Sequence, residues 1–271
     1  MRLNIFYKLD LSSKIFIISN FHNIFWSLFN FKSIRTIKWV FVFGVGHTGS
    51  SILCRKFAFF DEFYSCQFET GMMLGSKLRA QIYRLILAGI ATRNNKKFVL
   101  EKTPMHWRTV DKIRNIFPDA EFIVTQRSLL DTAISQAQRF DNNSVVVDVI
   151  SEFYALRFEQ LLWKINGIDF SVVDLEDQEN FLNNFCNKYN LTKNLNINPL
   201  KMNFLEKTLA KFGIGYFRTN HERERLEQVS SSNFIKKKRS IDVNYYNLVQ
   251  ELERIDDEID RHLSEWYGKY M

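Results

Sequence analysis

Three features of this 271-residue chain predict an α/β fold, a mainly parallel sheet flanked by helices on both faces. Short apolar runs of β-formers alternate with longer stretches whose apolar residues recur at helical spacing, the pattern of successive βαβ units. The first of these runs ends on a glycine-rich loop that opens a helix. Only three prolines occur, and no Gly/Ser- or Pro-rich linker divides the chain, so one large domain with terminal additions is expected.

Taken in order, the elements begin with an uncharged stretch from Ile15 to Phe31, flanked by Lys14 and Lys32. It falls short of the roughly 20 apolar residues that a spanning helix needs. It also contains Ser19, Asn20, His22, Asn23, Ser27 and Asn30, which are costly in hydrocarbon. The expectation is an apolar-rich helical extension over residues 1–36 that packs on a domain of residues 37–271. Interfacial membrane contact through residues 15–31 is the second reading, and a type II membrane anchor the third.

Trp39 to Phe43 reads as a buried parallel strand ending at Gly44. Ser51 to Phe60 reads as a helix, as does Gly71 to Arg93, with Leu74, Leu78, Ile82, Leu85 and Ile86 at helical spacing. Phe98 to Leu100 is a second strand. Trp107 to Phe117 is a helix stopped by Pro118, Glu121 to Thr125 a third strand, and Leu129 to Arg139 a helix. Val145 to Ile165 makes a long amphipathic helix, Phe170 to Val173 a fourth strand, and Glu179 to Tyr189 a further helix. Val243 to Trp266 is a highly charged terminal helix. In such sheets ligands bind beyond the C-terminal strand ends.

The net charge of +7 suits polyanionic ligands, membrane surfaces or nucleic acid. No zinc-finger or RNA-binding signature accompanies it, so nucleic acid is not expected as a partner. Lys236-Lys237-Lys238-Arg239 reads as a solvated charge run that would otherwise hold an anionic saccharide or close over a nucleotide. Cys54, Cys66 and Cys186 form no CxxC pair, which fits a reducing compartment and a cytoplasmic location. Cys54 reads as a buried structural thiol. The five histidines show no HExxH spacing, and no metal is expected.

The loop Gly44-Val-Gly-His-Thr-Gly-Ser-Ser51 carries the chemistry. Its glycines allow a tight turn in which backbone N–H groups converge on phosphate oxygens, and the helix that follows adds its positive end. The spacing is that of the nucleotide loop GxxxxGK[ST], with Ser50 where the lysine belongs. That lysine serves the β/γ-phosphates of a nucleoside triphosphate, so its absence argues against ATP or GTP hydrolysis.

The loop resembles the 5′-phosphosulfate-binding loop of sulfotransferases that use 3′-phosphoadenosine-5′-phosphosulfate (PAPS). Three further stretches resemble that family in the same order. Glu101-Lys-Thr-Pro104 is similar to the Glu-Lys-Thr/Ser-Pro segment of heparan-type and related carbohydrate sulfotransferases. Arg127-Ser-Leu-Leu-Asp-Thr-Ala-Ile-Ser135 is similar to the 3′-phosphate segment, with its arginine and serine eight positions apart. Val172 to Asp177, with the helix to Leu191, resembles the Tyr-Glu-Asp-Leu stretch that follows. The resemblance covers roughly residues 39–191 and implies a P-loop nucleotide-hydrolase-like sulfotransferase fold with PAPS as donor and PAP as product. It places Gly46, His47, Thr48, Gly49, Ser50, Ser51, Arg127 and Ser135 in the donor site.

The resemblance also assigns the chemistry. Glu69 stands where the heparan-type enzymes have their catalytic glutamate, with Glu101 second and His106 third as candidates for the base. Lys102 would assist the sulfuryl oxygens or orient the acceptor. His47 departs from the usual arginine or lysine and stabilises leaving-group charge only as a hydrogen-bond donor or when protonated. Arg127 has a plainer alternative, an ion pair with Asp131 at helical spacing. Ser128-Leu129 replaces the Asp-Pro that commonly follows that arginine. The acceptor would be a hydroxyl-bearing small molecule, glycan or lipid. A P-loop kinase-like enzyme and a catalytically inactive binding protein on the same fold are the alternatives.

Overall fold

The computed structural model describes residues 17–18, 20–65, 69–140, 145–193 and 243–270. The basic run at 236–239 and Cys66 lie outside them. Two helices, α1 (Phe21–Phe29) and α2 (Phe31–Arg35), precede strand β1 (Lys38–Phe43). Then come α3 (Ser50–Phe57), β2 (Phe63–Ser65), α4 (Lys77–Arg93) and β3 (Phe98–Lys102). A 3-10 segment (Pro104–Thr109) leads into α5 (Val110–Ile116), followed by β4 (Glu121–Gln126), α6 (Leu129–Phe140) and α7 (Val145–Ile165). Strand β5 (Ser171–Asp174), α8 (Gln178–Tyr189) and α9 (Val243–Tyr270) follow.

The five strands lie in the order β2-β3-β1-β4-β5, and all four pairings are parallel. All strand C-termini therefore emerge along one edge. The expected parallel α/β architecture is present.

Side-chain alternation along β1 splits the interior into two cores. Trp39, Phe41 and Phe43 point to one face, with Tyr83 and Leu87 of α4, Ile113 of α5, Ala133 of α6 and Trp163 of α7. Val40 and Val42 point to the other, against Leu53 and Phe57 of α3 and Leu182 and Phe185 of α8. Aromatic rings fill much of this space: Phe63 stacks on Phe98 at 4.7 Å, and Phe57 meets Phe185 edge-on at 5.1 Å. Truncating a ring such as Phe57, 0% exposed, would cost about 3–5 kcal/mol.

Four local differences from the sequence expectation have physical causes. The N-terminal stretch forms two helices, because the chain breaks at Asn30, whose side chain donates to Trp26 O at 2.9 Å. The helix expected from Gly71 begins only at Lys77, capped by Ser76 Oγ, which accepts from Arg79 N at 3.2 Å. Residues 71–73 spend their N–H groups on Thr103 Oγ1, Thr70 Oγ1 and His106 Nε2 instead of a helical turn. The helix expected from Trp107 opens as a 3-10 turn with Pro104 in its first turn. Finally, β2 spans three residues, too few to show a period.

Among the described residues no helix is long and apolar enough to cross a membrane.

Candidate active site at the C-terminal strand edge

The loop after β1 is shaped by what its residues approach. A Cβ on Gly44 would stand 2.5 Å from Thr125 O and 2.8 Å from Thr48 Oγ1, so only glycine lets the loop lie this close to β4. Gly49 has φ 93°, and a Cβ there would meet Leu175 Cδ1 at 2.5 Å. As the N-cap of α3, Gly49 supplies no side-chain acceptor to its first turn. Thr48 turns inward, 2% exposed. Its hydroxyl donates to Val45 O at 2.8 Å and lies 2.9 Å from Thr125 Oγ1. Thr48 thus closes the loop with its side chain, and any ligand contact from it falls to its backbone. Ser50 is buried at 6% exposure, and Ser51 and Gly46 are half-buried.

His47 holds a left-handed backbone at φ 71°, uncommon for a residue with a side chain. Its Nδ1 lies 2.9 Å from Ser135 Oγ. Two residues 88 positions apart in sequence, one from each expected phosphate-binding stretch, are in direct contact. Arg127 follows β4 directly, and its Nη2 stands 3.4 Å from Asp131 Oδ2, the plainer pairing that the sequence allowed. Thr48, Arg127, Arg157 and Gln160 share one small recess, about 20 Å³ in volume. A roomier hollow of about 390 Å³ between Asp111, Arg114, Asn115 and Pro118 lies near the start of β4 and contains none of the site residues.

Sequence reasoning missed the residues that brace the loop. Gln136 Nε2 donates to Gly46 O at 3.0 Å, and Gln178 Nε2 to Gly49 O at 3.2 Å. Gln136 sits beside Ser135, yet an amide contacting a backbone carbonyl leaves no spacing signature. Nor does Glu253 of α9, whose Oε1 accepts the backbone N–H of Leu130 at 3.0 Å. It satisfies the N-terminus of α6 just beyond Arg127, and a carboxylate there is favoured by the helix dipole.

Lys102, at the end of β3, is neighbour to Val42 across the sheet. Its Nζ lies 2.5 Å from Glu69 Oε1, with side-chain exposures of 7% and 38%. The structure brings these two candidates together, the cation sheltered and the carboxylate open. Lys102, Glu101 and Glu69 all act electrostatically on Cys54 of α3, whose thiol is pushed up to about 12, chiefly by burial. This agrees with a structural thiol.

Glu101 is placed differently from its expected role as second candidate for the base. It pairs in register with Phe41 and is 0% exposed, on the face opposite Lys102. Oε1 accepts from Thr70 Oγ1 at 2.6 Å and from Thr103 Oγ1 at 2.7 Å, and Oε2 lies 2.7 Å from His106 Nδ1. Met73 N–H points to His106 Nε2 at 3.3 Å, so the imidazole proton sits on Nδ1, facing the carboxylate. Burial pushes the Glu101 pKa up, but His106 and the two threonines outweigh it and hold the carboxyl below its usual range. Glu101 and His106 therefore stand as a fully buried pair.

That pair ties the segment bearing Glu69 to the strand end bearing Lys102. Arg79 Nη2 adds a bond to Thr70 O at 2.6 Å. Lys112 Nζ holds the carbonyls of Met73 and Gly75, its pKa lowered by burial and then by the nearby Arg79 charge. Among the described residues no group of three His, Cys, Asp or Glu side chains could hold a metal ion.

Comparison with known proteins follows the same lines. Residues 61–164 match the model of the sulfotransferase family. Among solved structures the chain is similar to a sulfotransferase of Mycobacterium tuberculosis H37Rv, at 12% identity over 87% of this chain and 82% of that one, TM-score 0.48. It is also similar to the sulfotransferase domain of the Synechococcus PCC 7002 olefin synthase, at 12% identity over 80% and 94%, TM-score 0.43. No curated protein matches the chain. The family match runs from the turn before β2 to the end of α7, takes in Glu69, Lys102, Arg127 and Ser135, and leaves the glycine loop outside it.

Proposed function

We propose that the protein transfers a sulfuryl group from PAPS to the hydroxyl of a carbohydrate or lipid-linked acceptor. The observation that carries this reading is the 2.9 Å contact between His47 and Ser135. It joins the glycine loop to the Arg127 segment at the strand edge, with Lys102 of the neighbouring strand paired to Glu69. In this reading the loop's backbone N–H groups and the N-terminal end of α3 hold the 5′-phosphosulfate. Arg127 and Ser135 hold the 3′-phosphate, through an arginine fork and a hydroxyl.

The acceptor oxygen attacks sulfur in line, its proton passes to Glu69, and the bond from sulfur to the bridging phosphate oxygen breaks, releasing PAP. In this scheme Lys102 and His47 stabilise the charge that develops on the sulfuryl group and the departing oxygen. The scheme requires no metal.

The test is calorimetric titration of the full chain with PAP, using ATP and 5′-AMP as controls and Arg127→Ala as the negative variant. Micromolar PAP binding that collapses in the variant, with weak ATP binding, is the expected result. ATP binding as tight as PAP would return the chain to a kinase-like reading. PAP binding with no transfer to any acceptor class would favour an inactive binding protein.

A further inference from the structure

Helix α1 is turned inside out where it packs on α4. α1 buries two of its polar residues: Asn23 is 3% exposed and Ser27 0%. Ser27 Oγ donates to Leu85 O at 2.7 Å, and Arg93 Nη1 donates to Asn23 Oδ1 at 3.0 Å. Gly89 of α4 makes the approach possible, since a Cβ there would fall 2.5 Å from Ser27 Oγ and 2.9 Å from Asn23 O. These contacts fix the rotation of α1 about its axis and send its apolar side outward. Phe21 is 51% exposed, Phe25 54%, Leu28 56% and Phe29 86%, with Phe31 of α2 at 47%. Spacings of three, four and seven place Phe21, Phe25 and Leu28 on one stripe. A contiguous apolar patch of this kind marks an interaction surface.

Charge identifies the partner. Residues 11–60 contain no Asp or Glu, and neither do residues 70–100, so α1, α2 and α4 are free of acidic side chains. They carry Lys32, Arg35, Lys77, Arg79, Arg84 and Arg93 instead. Arg35 lies 4.2 Å from the centroid of the Phe31 ring, which sets a cation at the border of the apolar stripe. Apolar rings edged by cations, with no acid in the layer, complement an anionic bilayer surface.

We propose that α1 and α2 dock the protein on anionic membranes. α1 would lie in the plane of the interface, its phenylalanines at the acyl boundary and Lys32 and Arg35 among the headgroups. Its nine residues reach about 14 Å, under half of the ~30 Å hydrocarbon core, so the helix rests on the bilayer and does not span it. The proposal is independent of how the donor site is read.

The test is flotation of the full chain with vesicles of phosphatidylcholine alone, and with about one third phosphatidylglycerol. Binding to the anionic vesicles should exceed binding to neutral ones by about tenfold or more and should fall in high salt. The double variant Phe25→Ser/Phe29→Ser should lose at least about tenfold in binding while its thermal melt and PAP titration stay unchanged. Lys32→Glu/Arg35→Glu should lose the preference for anionic lipid. Phe158→Ser, on an exposed position of α7, should bind as the parent does. Absence of flotation on both vesicle types, or equal flotation of the Phe double variant, would overturn the proposal. So would a concentration-dependent oligomer that the double variant breaks up in a chain that does not bind vesicles, which would make the stripe a contact between copies.

Discussion

Replacing Glu101 with Gln preserves the shape of the buried cluster and removes its charge, and the hydrogen-bond inventory then cannot close. The carboxylate accepts from two threonine hydroxyls at Oε1, and its Oε2 lies 2.7 Å from His106 Nδ1. In Gln the carbonyl keeps the threonines, and the new NH2 faces Nδ1–H, donor against donor. Moving the imidazole proton to Nε2 only transfers the conflict to Met73 N–H, which already points there. One buried donor is left unsatisfied in every arrangement, at a cost of about 1–3 kcal/mol, and charge-assisted bonds to the lost carboxylate add about 1 kcal/mol more. The expected destabilisation is therefore about 2–4 kcal/mol, or a fall of roughly 5–12 °C in Tm.

Urea and thermal unfolding of Glu101→Gln beside the parent chain would measure it. The pH dependence gives a second readout. The folded-state pKa of Glu101 is lowered from its ordinary 4.5, so its contribution to stability is fully present above that value and is lost as pH falls through the lowered folded pKa. The variant should lack that part of the acid limb. A stability within about 0.5 kcal/mol of the parent, with an unchanged acid limb, would refute the account of the cluster.

Other perturbations separate structure from chemistry. Glu69→Gln should lower the rate of sulfuryl transfer by about 10²–10⁴-fold and leave PAP binding within about twofold, read by calorimetry beside an activity assay. Lys102→Ala should cost about 10²–10³-fold in kcat; an undiminished kcat would remove it from the reacting centre. Gly89→Ala should loosen α1 from α4 and lower stability by about 1–3 kcal/mol, measured by urea unfolding, because its added Cβ would fall 2.5 Å from Ser27 Oγ. Cys54, with its thiol near 12 in place of 9.0, should alkylate about a thousandfold more slowly than an ordinary cysteine at pH 8, followed by mass spectrometry in the native state.

Much of the frame was legible because strands buried on both faces read as unbroken apolar runs, as Trp39–Phe43 and Phe122–Val124 do. The glycine loop was legible because close approach leaves only glycine possible at Gly44. The roles of Glu101 and Lys102 were not separable in the same way. Adjacent residues of a strand face opposite sides, so only one of the pair meets the site edge beside Val42. Which one depends on the register of β3 against β1, and that is a tertiary fact. The polarity of α1 was hidden for a related reason. An apolar stripe at helical spacing is expected to turn inward, and only the gap left by Gly89 on another helix lets Asn23 and Ser27 take its place. Gln136, Gln178 and Glu253 act through backbone carbonyls and N–H groups, and such contacts impose no pattern on the sequence around them.

The clasp between Glu253 and Leu130 joins residues 123 positions apart and gives the Arg127 turn an order of assembly. During synthesis the glycine loop, the sheet and Arg127 all leave the ribosome well before α9 does. Until that helix arrives, the first turn of α6 lacks its carboxylate, so the turn that follows Arg127 is completed by a segment made more than a hundred residues after it.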